Sequence, residues 1–340
     1  MQVVVIGAGR MGAIRTEDLV ADPRVSEVVV VNRTFDRADA LADRFGATAV
    51  EWQDLASVRP DAYVVALATD AHTDLLTDVL AQRVAVLCEK PIALTLQLTD
   101  EIIARADAYG TPLQIGFQRR FDPGIRRVRS LVHGGDLGTL YSMSMVAHDR
   151  SPSPREFIAG SGGIFRDMHV HDFDLVRWIT GSEVESVYAT KAVRAQRQYA
   201  EFDDADATLI HLVTTDGVQV SVSGARHDAL GHDVRLEVFG TGDSVAAGLN
   251  PRTPLHAVDA DLDAAAALSF GDRPYEGFVD RFREAFRLET AAFIALAAGE
   301  ADNACPPDSA RESLRIAIAC EESVRLRRPV TVADIESTGG

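Results

Sequence analysis

The feature that most constrains this chain is a glycine-rich turn between its first predicted strand and its first predicted helix. The segment "VVVIGAGRMG" places Gly7, Gly9 and Gly12 directly after an apolar run and before a helical pattern. In such a turn the first glycine permits a tight bend, the second lets backbone approach a pyrophosphate, and the third allows close packing of helix on strand. The helix N-terminus then offers free N–H groups to phosphates. A glycine-rich turn without a ligand is the alternative, but the strand–turn–helix context favours a dinucleotide site.

Short apolar runs alternate with helical patterns from the start of the chain to about residue 120. Continuous apolar strands separated by helices indicate a parallel sheet that is covered on both faces. We therefore predict an α/β protein in which residues 1–120 form a Rossmann domain with a doubly wound parallel sheet. The predicted strands of this domain are Val3–Ile6, Val28–Val31, Ala62–Leu67, Val84–Leu87 and Leu113–Phe117.

The pattern of predicted elements changes after residue 120, where several predicted strands alternate apolar and polar residues. This alternation is typical of an antiparallel sheet with one covered face. Two long helical patterns follow, Tyr275–Ala298 and Asp308–Arg327. We predict that residues 121–340 form an α+β domain with a large, mainly antiparallel open sheet. Its predicted strands are Thr139–His148, Val184–Val193, Ala207–Val213, Val218–Gly224 and Val234–Phe239.

Composition narrows the possible partners and the compartment. A formal net charge of -17 at pH 7 argues against nucleic acid and anionic membranes, because both would be repelled. Cys88, Cys305 and Cys320 show no metal-ligand spacing, so we interpret them as reduced thiols. No signal peptide is evident, and no apolar run approaches the roughly 20 residues of a membrane helix. We expect a cytoplasmic protein with no nucleic-acid partner, no membrane partner and no metal.

The end of the second predicted strand bears on the choice of nicotinamide cofactor. An NAD site usually places an acidic residue here to bind the ribose hydroxyls. This chain has Asn32, Arg33 and Thr34 instead. A guanidinium and a hydroxyl suit a 2′-phosphate, although an arginine exposed in a loop is the alternative. The residues favour NADP(H), with NAD(H) as the second choice.

The tetrapeptide "CEKP" closes the strand Val84–Leu87 and places Lys90 at the carboxyl edge of the predicted sheet. Open α/β sheets bind their ligands at that edge. Pro91 can form a rigid or cis turn that aims the lysine. Lys90 and Lys191 are the only lysines of the chain. A solvated lysine in a loop is the alternative to a functional role.

The stretch "GGIFRDMHVHDFD" concentrates titratable side chains between Gly162 and Asp174. Asp167, His171 and Asp174 are spaced i, i+4 and i+7, so on a helix they share one face. This spacing favours an acid/base site. A metal site at His169, His171 and Asp174 is less favoured because the two histidines would diverge on a helix. A polar helix start over a packed core is the third interpretation.

Taken together, these motifs resemble the Gfo/Idh/MocA oxidoreductases, and among them the inositol 2-dehydrogenase branch. The resemblance covers nearly the whole chain, and the order and spacing of its motifs are more specific than any one of them. The motifs are GxGxxG, EKP, "GFQRRFDP" (Gly116–Pro123), the GG…DxxxHxxD stretch, Gly231–Val245 and Phe278–Phe293.

The resemblance implies a dehydrogenase that oxidises a secondary alcohol of a cyclic polyol or sugar by hydride transfer. Lys90, Asp167 and His171 match the residues that act together at the substrate in that family. Histidine, with an ordinary pKa of about 6.5, suits a general acid/base, and a lysine ammonium would favour a developing alkoxide. Asp167 would hold the imidazole or contact the substrate.

The resemblance also implies further contacts. Arg119, His148 and His232 would line the substrate pocket. Where the inositol enzymes tend to carry tyrosine in "GYD", this chain has His232 in "GHD", so we expect a related polyol or sugar. The predicted cofactor-binding residues are those of the glycine turn, residues 32–34 and Lys90. The resemblance adds Arg10, Met11, Ala68, Thr69, His72, Glu89 and Gln118 to them. The family commonly buries the open face of the second sheet against another subunit, which predicts a homodimer or homotetramer.

Two other functions fit the same fold. One is a regulatory or binding protein that holds the cofactor without turnover, and the other is a glycoside hydrolase that recycles tightly held NAD. The intact set of Lys90, Asp167 and His171 favours the dehydrogenase.

Overall fold

The computed structural model describes residues 1–67, 69, 72–255 and 273–336, with only the backbone of His72. These residues form two compact units. The first contains Met1–Phe121 and Glu284–Leu314, and the second contains Asp122–Arg283 and Arg315–Glu336. The sequence pattern predicts one domain for everything after residue 120, whereas the first unit includes Glu284–Leu314.

The packing of one late helix accounts for this division. Phe293 and Ile294 are fully buried in a core cluster with Val3, Val5 and Leu87. Burial of large apolar side chains contributes roughly 1.5–3 kcal/mol each, which is ample to hold the segment against the first sheet. No local pattern in the sequence reports this pairing.

The first unit is built on a parallel sheet of six strands in the order β3-β2-β1-β4-β5-β6. The predicted fold class is confirmed, and all five predicted strands are present. The additional strand β3 is three residues long and only partly buried, so it lacks the apolar run that identifies the others. The strands are β1 (Gln2–Ile6), β2 (Glu27–Val31), β3 (Thr48–Val50), β4 (Ala62–Val65), β5 (Ala85–Glu89) and β6 (Leu113–Gly116).

Helices connect these strands, and the strand order reverses between β1 and β4, where doubly wound sheets bind their ligands. Thr95 accepts a hydrogen bond from the Leu98 N–H (3.3 Å) and caps one of the helices, and Gly46 ends another in a left-handed conformation. The α-helices that the structure describes up to residue 121 are α1 (Arg10–Ala21), α2 (Phe35–Phe45), α3 (His72–Leu80) and α4 (Leu96–Tyr109).

The second unit is built on a mixed sheet of seven strands in the order β12-β11-β7-β10-β9-β8-β13. Neighbours are antiparallel except β7 and β10, which run parallel. Successive side chains along each strand point to opposite faces, so the sheet has one covered face and one open face. On β9, for example, Ile210 and Leu212 are buried while Leu209 is exposed. The strands are β7 (Leu140–His148), β8 (Val184–Ala192), β9 (Ala207–Thr214), β10 (Gln219–Ala225), β11 (Asp233–Gly240), β12 (Ser244–Ala247) and β13 (Val330–Thr331).

The remaining helices include the predicted polar stretch and the two long C-terminal patterns. Within the described ranges they are α5 (Pro123–His133), α6 (Arg155–Ser161), α7 (Val170–Thr180), α8 (Phe278–Ala297) and α9 (Pro307–Leu326). Within the described ranges, no helix is long and apolar enough to cross a membrane.

Candidate active site

The glycine turn after β1 is shaped by close backbone packing at two of its glycines and by open space at the third. A Cβ on Gly7 (φ +116°) would lie 2.5 Å from the Ala66 carbonyl oxygen, and one on Gly12 would lie 1.8 Å from the Gly7 carbonyl oxygen. A Cβ on Gly9 would meet no atom within 4 Å. Gly7 and Gly12 therefore serve the packing of the turn, and Gly9 leaves room for a ligand to approach the backbone.

The start of α1 has the chemistry of an anion site. Gly9 occupies the N-cap position without a side-chain hydrogen bond, and the first turn of α1 carries no acidic residue. Arg10 is exposed and Met11 is partly buried at this end. The first N–H groups of a helix lack intrahelical partners and attract negative charge, so this turn fits a dinucleotide pyrophosphate.

The loop after β2 presents a cation and no carboxylate at residues 32–34. The Asn32 side chain accepts a hydrogen bond from the Ala8 N–H (3.2 Å) and donates one to the Thr34 carbonyl (2.9 Å). Asn32 therefore ties this loop to the glycine turn. Arg33 is exposed, with its guanidinium 5.4 Å from the centre of the Trp52 ring, and the Thr34 hydroxyl makes no capping bond.

Lys90 follows β5 directly, is partly buried, and precedes Pro91 through a cis peptide bond. Its neighbour Glu89 is buried and accepts hydrogen bonds from Arg15. Burial raises the pKa of the Cys88 thiol far above its usual range, so this cysteine is not an activated nucleophile.

The other predicted residues of the first unit lie in loops at the same edge of the sheet. Gln118 and Arg119 are buried in a short 3-10 turn, Gln118–Phe121, just after β6. Thr69 is partly buried after β4. Ala68 and the side chain of His72 lie outside the described residues.

The polar stretch of the second unit forms a helical start with one wide turn. Phe165–His169 is a π-helical turn that leads into α7, and the Asp167 N–H donates to the Gly163 carbonyl (3.0 Å). Turns of this kind are frequent at functional sites. Asp167 is partly exposed, whereas His171 and Asp174 are buried.

Asp167 is held by an arginine that the sequence analysis did not single out. Arg226 Nη1 donates to Asp167 Oδ2 (2.9 Å) and lies 3.7 Å from Asp149 Oδ2, while Nη2 lies 3.9 Å from Asp204 Oδ2. The Arg226 side chain is only 3% exposed. Burial opposes its charge, but the three carboxylates raise the pKa of Arg226 above its usual value. We call Asp149, Asp167, Asp204 and Arg226 the carboxylate cluster.

His232 joins this cluster through Asp149. Its Nδ1 lies 3.5 Å from Asp149 Oδ1, and its main-chain N–H donates to the Tyr275 carbonyl (2.8 Å). Burial alone would raise the pKa of Asp149, but the hydrogen bond from His232 and the charge of Arg226 lower it below its usual value. Asp149 is thus ionised, and the second unit brings the predicted residues Asp167 and His232 into one network.

His148 belongs to a different environment. Its ring nitrogens lie 3.3 Å from Asp228 Oδ2 and 3.1 Å from Ser223 Oγ. Successive residues of a strand face opposite sides of the sheet, so Ser223 and His148 face away from Gly224 and Asp149. The structure therefore places the His148 side chain on the open face, apart from the carboxylate cluster.

His169 is a structural residue. It is fully buried, and its two ring nitrogens lie 2.8 Å from Asp172 Oδ2 and 2.8 Å from Thr208 Oγ1. With both nitrogens engaged, His169 has none left for a metal. Among the described residues no group of three potential ligands could hold a metal ion.

The sequence did contain a signal for Arg226. Arg226 follows β10 directly and continues its series of inward positions, so a charged residue comes after three buried ones, Val220, Val222 and Gly224. A buried arginine in such a series requires carboxylate partners. The carboxylates themselves lie far away in the sequence.

Comparisons with known proteins identify one family in both units. Residues 1–117 match the model of the oxidoreductase family with an NAD-binding Rossmann fold, and residues 125–246 match the GFO/IDH/MocA C-terminal domain. The chain is 34% identical over 329 residues to a myo-inositol dehydrogenase of Streptomyces leeuwenhoekii, covering 95% of this chain and 97% of that one. It is 31% identical to an inositol 2-dehydrogenase of Rhizobium meliloti, with 96% and 98% covered.

A solved structure is similar over the same extent. A putative myo-inositol dehydrogenase from Sinorhizobium meliloti superposes with a TM-score of 0.89 at 31% identity, covering 98% of this chain and 99% of that one.

Proposed function

This chain belongs to the Gfo/Idh/MocA family, whose first domain is an NAD-binding Rossmann fold, and from that premise we propose that it oxidises a secondary alcohol of a cyclic polyol. The family resemblance drawn from the motifs is confirmed. One observation carries the proposal: relatives named inositol dehydrogenases align along their whole length, and this chain retains Lys90, Asp167 and His171 at the matching motifs.

We assign a role to each of these residues. A bound nicotinamide supplies the hydride acceptor. His171 removes the hydroxyl proton, a task that suits an imidazole with an ordinary pKa of about 6.5. Asp167, held as a carboxylate by Arg226, orients the imidazole or a substrate hydroxyl. The Lys90 ammonium stabilises the negative charge that develops on the substrate oxygen.

The substrate we propose is an inositol-like polyol or sugar rather than myo-inositol itself. His232 stands where the inositol enzymes tend to carry tyrosine, and Asp149 orients its ring in this chain. An imidazole and a phenol differ in size and in hydrogen-bonding capacity, so they select different patterns of hydroxyl groups.

For the cofactor we propose a preference for NADP(H) over NAD(H). The exposed guanidinium of Arg33 and the Thr34 hydroxyl support this, as does the absence of a carboxylate at residues 32–34. Arg33→Ala is expected to lower kcat/KM for NADP⁺ by at least about tenfold and to leave that for NAD⁺ nearly unchanged. Equal losses with both cofactors would contradict this preference.

We also propose a homodimer or homotetramer that acts in the cytoplasm. Tyr141, Tyr188 and Leu209 are exposed on strands of the second sheet, and Leu209 is 65% exposed. Such apolar side chains support burial against another subunit. Three buried free cysteines are consistent with a reducing compartment. A monomeric mass by light scattering would contradict the oligomer.

The activity is tested by following nicotinamide absorbance with a panel of inositols, aldoses and polyols, each with NAD⁺ and NADP⁺. Lys90→Ala and His171→Ala are run beside the wild type, with Lys191→Ala as a control. We expect one substrate to be oxidised, and both active-site variants to abolish its turnover. Cofactor binding without turnover would favour a regulatory protein, and glycoside cleavage without net reduction would favour a hydrolase.

A further inference from the structure

A group of buried charges lies within the first unit, next in the chain to Lys90. Arg15 Nε donates to Glu89 Oε1 (2.9 Å), and Nη2 donates to Glu289 Oε2 (2.5 Å). Arg15 Nη1 also donates to Thr290 Oγ1 (3.1 Å). The side chains of Arg15 and Glu289 are fully buried, and that of Glu89 is 10% exposed. We call Arg15, Glu89 and Glu289 the buried triad.

The triad joins three elements of the unit. Arg15 lies on α1, one turn after the glycine motif, Glu89 ends β5, and Glu289 lies on α8. The Phe286 ring lies 5.3 Å from the Arg15 guanidinium, and a Cβ on Gly116 would come within 2.7 Å of Glu89 Oε2. The Glu89 carboxylate is therefore enclosed on several sides, directly before the peptide bond to Lys90.

Stability alone does not explain such a cluster. The desolvation of buried ions commonly offsets their mutual attraction, and well-packed apolar residues of similar volume are often as stable or more so. The triad also has one positive charge for two carboxylates, with Asp18 as a further acid on α1. This arrangement favours uptake of a proton and lies beside Lys90 in the chain. It therefore points to a role in positioning the Lys90 side chain.

We propose that Arg15 and Glu289 are positioning residues that hold Glu89, and through it Lys90. Protonation of Glu289 changes how firmly Arg15 holds Glu89. When Glu289 carries a proton, Arg15 forms an ion pair with one carboxylate, that of Glu89. When Glu289 is ionised, two carboxylates compete for the same guanidinium. The catalytic part of the inference rests on the proposed role of Lys90.

The surroundings of Glu289 set where this change occurs. Burial raises its pKa to about 7, the charge of Arg15 opposes the rise, and the charges of Glu89 and Asp18 reinforce it. The charged groups that act on Glu289 are Arg15 and Asp18 on α1 and Glu89 on β5, while Thr290 accepts a hydrogen bond from Arg15. The transition therefore falls in the neutral range.

Because the chain has only two lysines, Lys90 can be observed directly. Protein labelled with lysine carrying ¹³C at Cε gives two signals in a proton–carbon correlation spectrum, and Lys191→Arg assigns them. We expect the Lys90 signal to shift with an inflection near pH 7. Glu289→Gln, which keeps the shape and stays neutral, should abolish that inflection. The Lys191 signal should be the same in both proteins.

Kinetics give an independent readout. We expect Glu289→Gln to remove its own contribution to the pH dependence of kcat near neutrality and to leave the contribution of the general base His171 in place. Arg15→Lys should lower kcat on the order of tenfold, because lysine lacks the planar fork that bonds two carboxylates. Glu284→Gln, an exposed acid on α8, is the matched control and should behave as the wild type.

The outcomes separate this inference from the proposed function. A Lys90 signal without an inflection near pH 7, or an inflection that persists in Glu289→Gln, would overturn the positioning role. If Lys90→Ala keeps full turnover while the inflection behaves as expected, the catalytic role of Lys90 fails and the structural link stands.

Discussion

Arg226 is the residue whose removal should most clearly expose the energetics of the carboxylate cluster. Methionine at this position has a similar length and no charge, so Arg226→Met removes the guanidinium without leaving a large cavity. The variant leaves Asp149, Asp167 and Asp204 without the cation that lies 2.9 to 3.9 Å from them. We expect a marked loss of stability.

The magnitude follows from burial. Removing one partner of a buried ion pair costs about 3–5 kcal/mol because an uncompensated charge remains. Asp204 is 4% exposed, but the side chains of Asp167 and Asp149 are 16% and 29% exposed and keep part of their hydration. The expected loss in the free energy of unfolding is therefore at the lower end, about 3 kcal/mol near neutral pH.

The loss should depend on pH in a defined direction. In the wild type, His232 and Arg226 lower the pKa of Asp149, so its contribution is present above the unfolded pKa and is lost only below it. Without Arg226, burial still raises the pKa of Asp149 while only His232 remains to lower it, so this pKa should lie higher in the variant than in the wild type. Asp149 is then protonated at a higher pH in the variant than in the wild type, so the difference in stability should shrink as the pH falls from about 7 towards the ordinary aspartate pKa of about 3.9.

Urea unfolding of both proteins across this pH range measures the difference. Arg155→Met is the matched control, because Arg155 pairs with Glu201 while both side chains are more than half exposed. Exposed pairs contribute roughly 0–1 kcal/mol, so this control should stay close to wild type. A loss below about 1 kcal/mol in Arg226→Met, or one that does not change with pH, would refute the reasoning.

Three glycine substitutions give further predictions. Gly9→Ala should leave the free energy of unfolding nearly unchanged and weaken cofactor binding, measured by fluorescence titration, because its Cβ meets only open space. Gly12→Ala should destabilise the first unit by about 1–3 kcal/mol, since its Cβ would lie 1.8 Å from a carbonyl oxygen; normal melting would contradict this. Gly224→Ala, whose Cβ would lie 2.3 Å from His169 Nε2, should lower the melting temperature and turnover together, and a loss of neither would show that His169 can move aside.

The first sheet was predictable because its signals are local. Five strands are continuous apolar runs, and the glycine turn depends on a few residues that are adjacent in the chain. The short strand β3 escaped prediction because it is brief and half buried. Family and NAD-binding fold followed from motifs whose order and spacing can be read along the chain, whereas the preference for NADP(H) stays a prediction.

The sequence motifs name candidate site residues but not the partners that hold them. Helical spacing and the family motif predict Asp167 and His171, and their roles stay predictions. Arg226 follows β10 and lies 59 residues from Asp167, which is in the turn before α7, so the two side chains meet only in the tertiary structure. The register of the strands separates His148 from Asp149, because one residue along a strand is a change of face.

The sequence by itself determined the class of fold and the turn that fits a dinucleotide, because periodicity and glycine conformation act over a few residues. Tertiary structure alone decided that Glu284–Leu314 joins the first unit, that Arg15 links Glu89 to Glu289, and that one buried arginine serves three carboxylates. These contacts join residues far apart in the chain. They depend on the registers of the sheets and on the need of each buried charge for a partner, which no local pattern records.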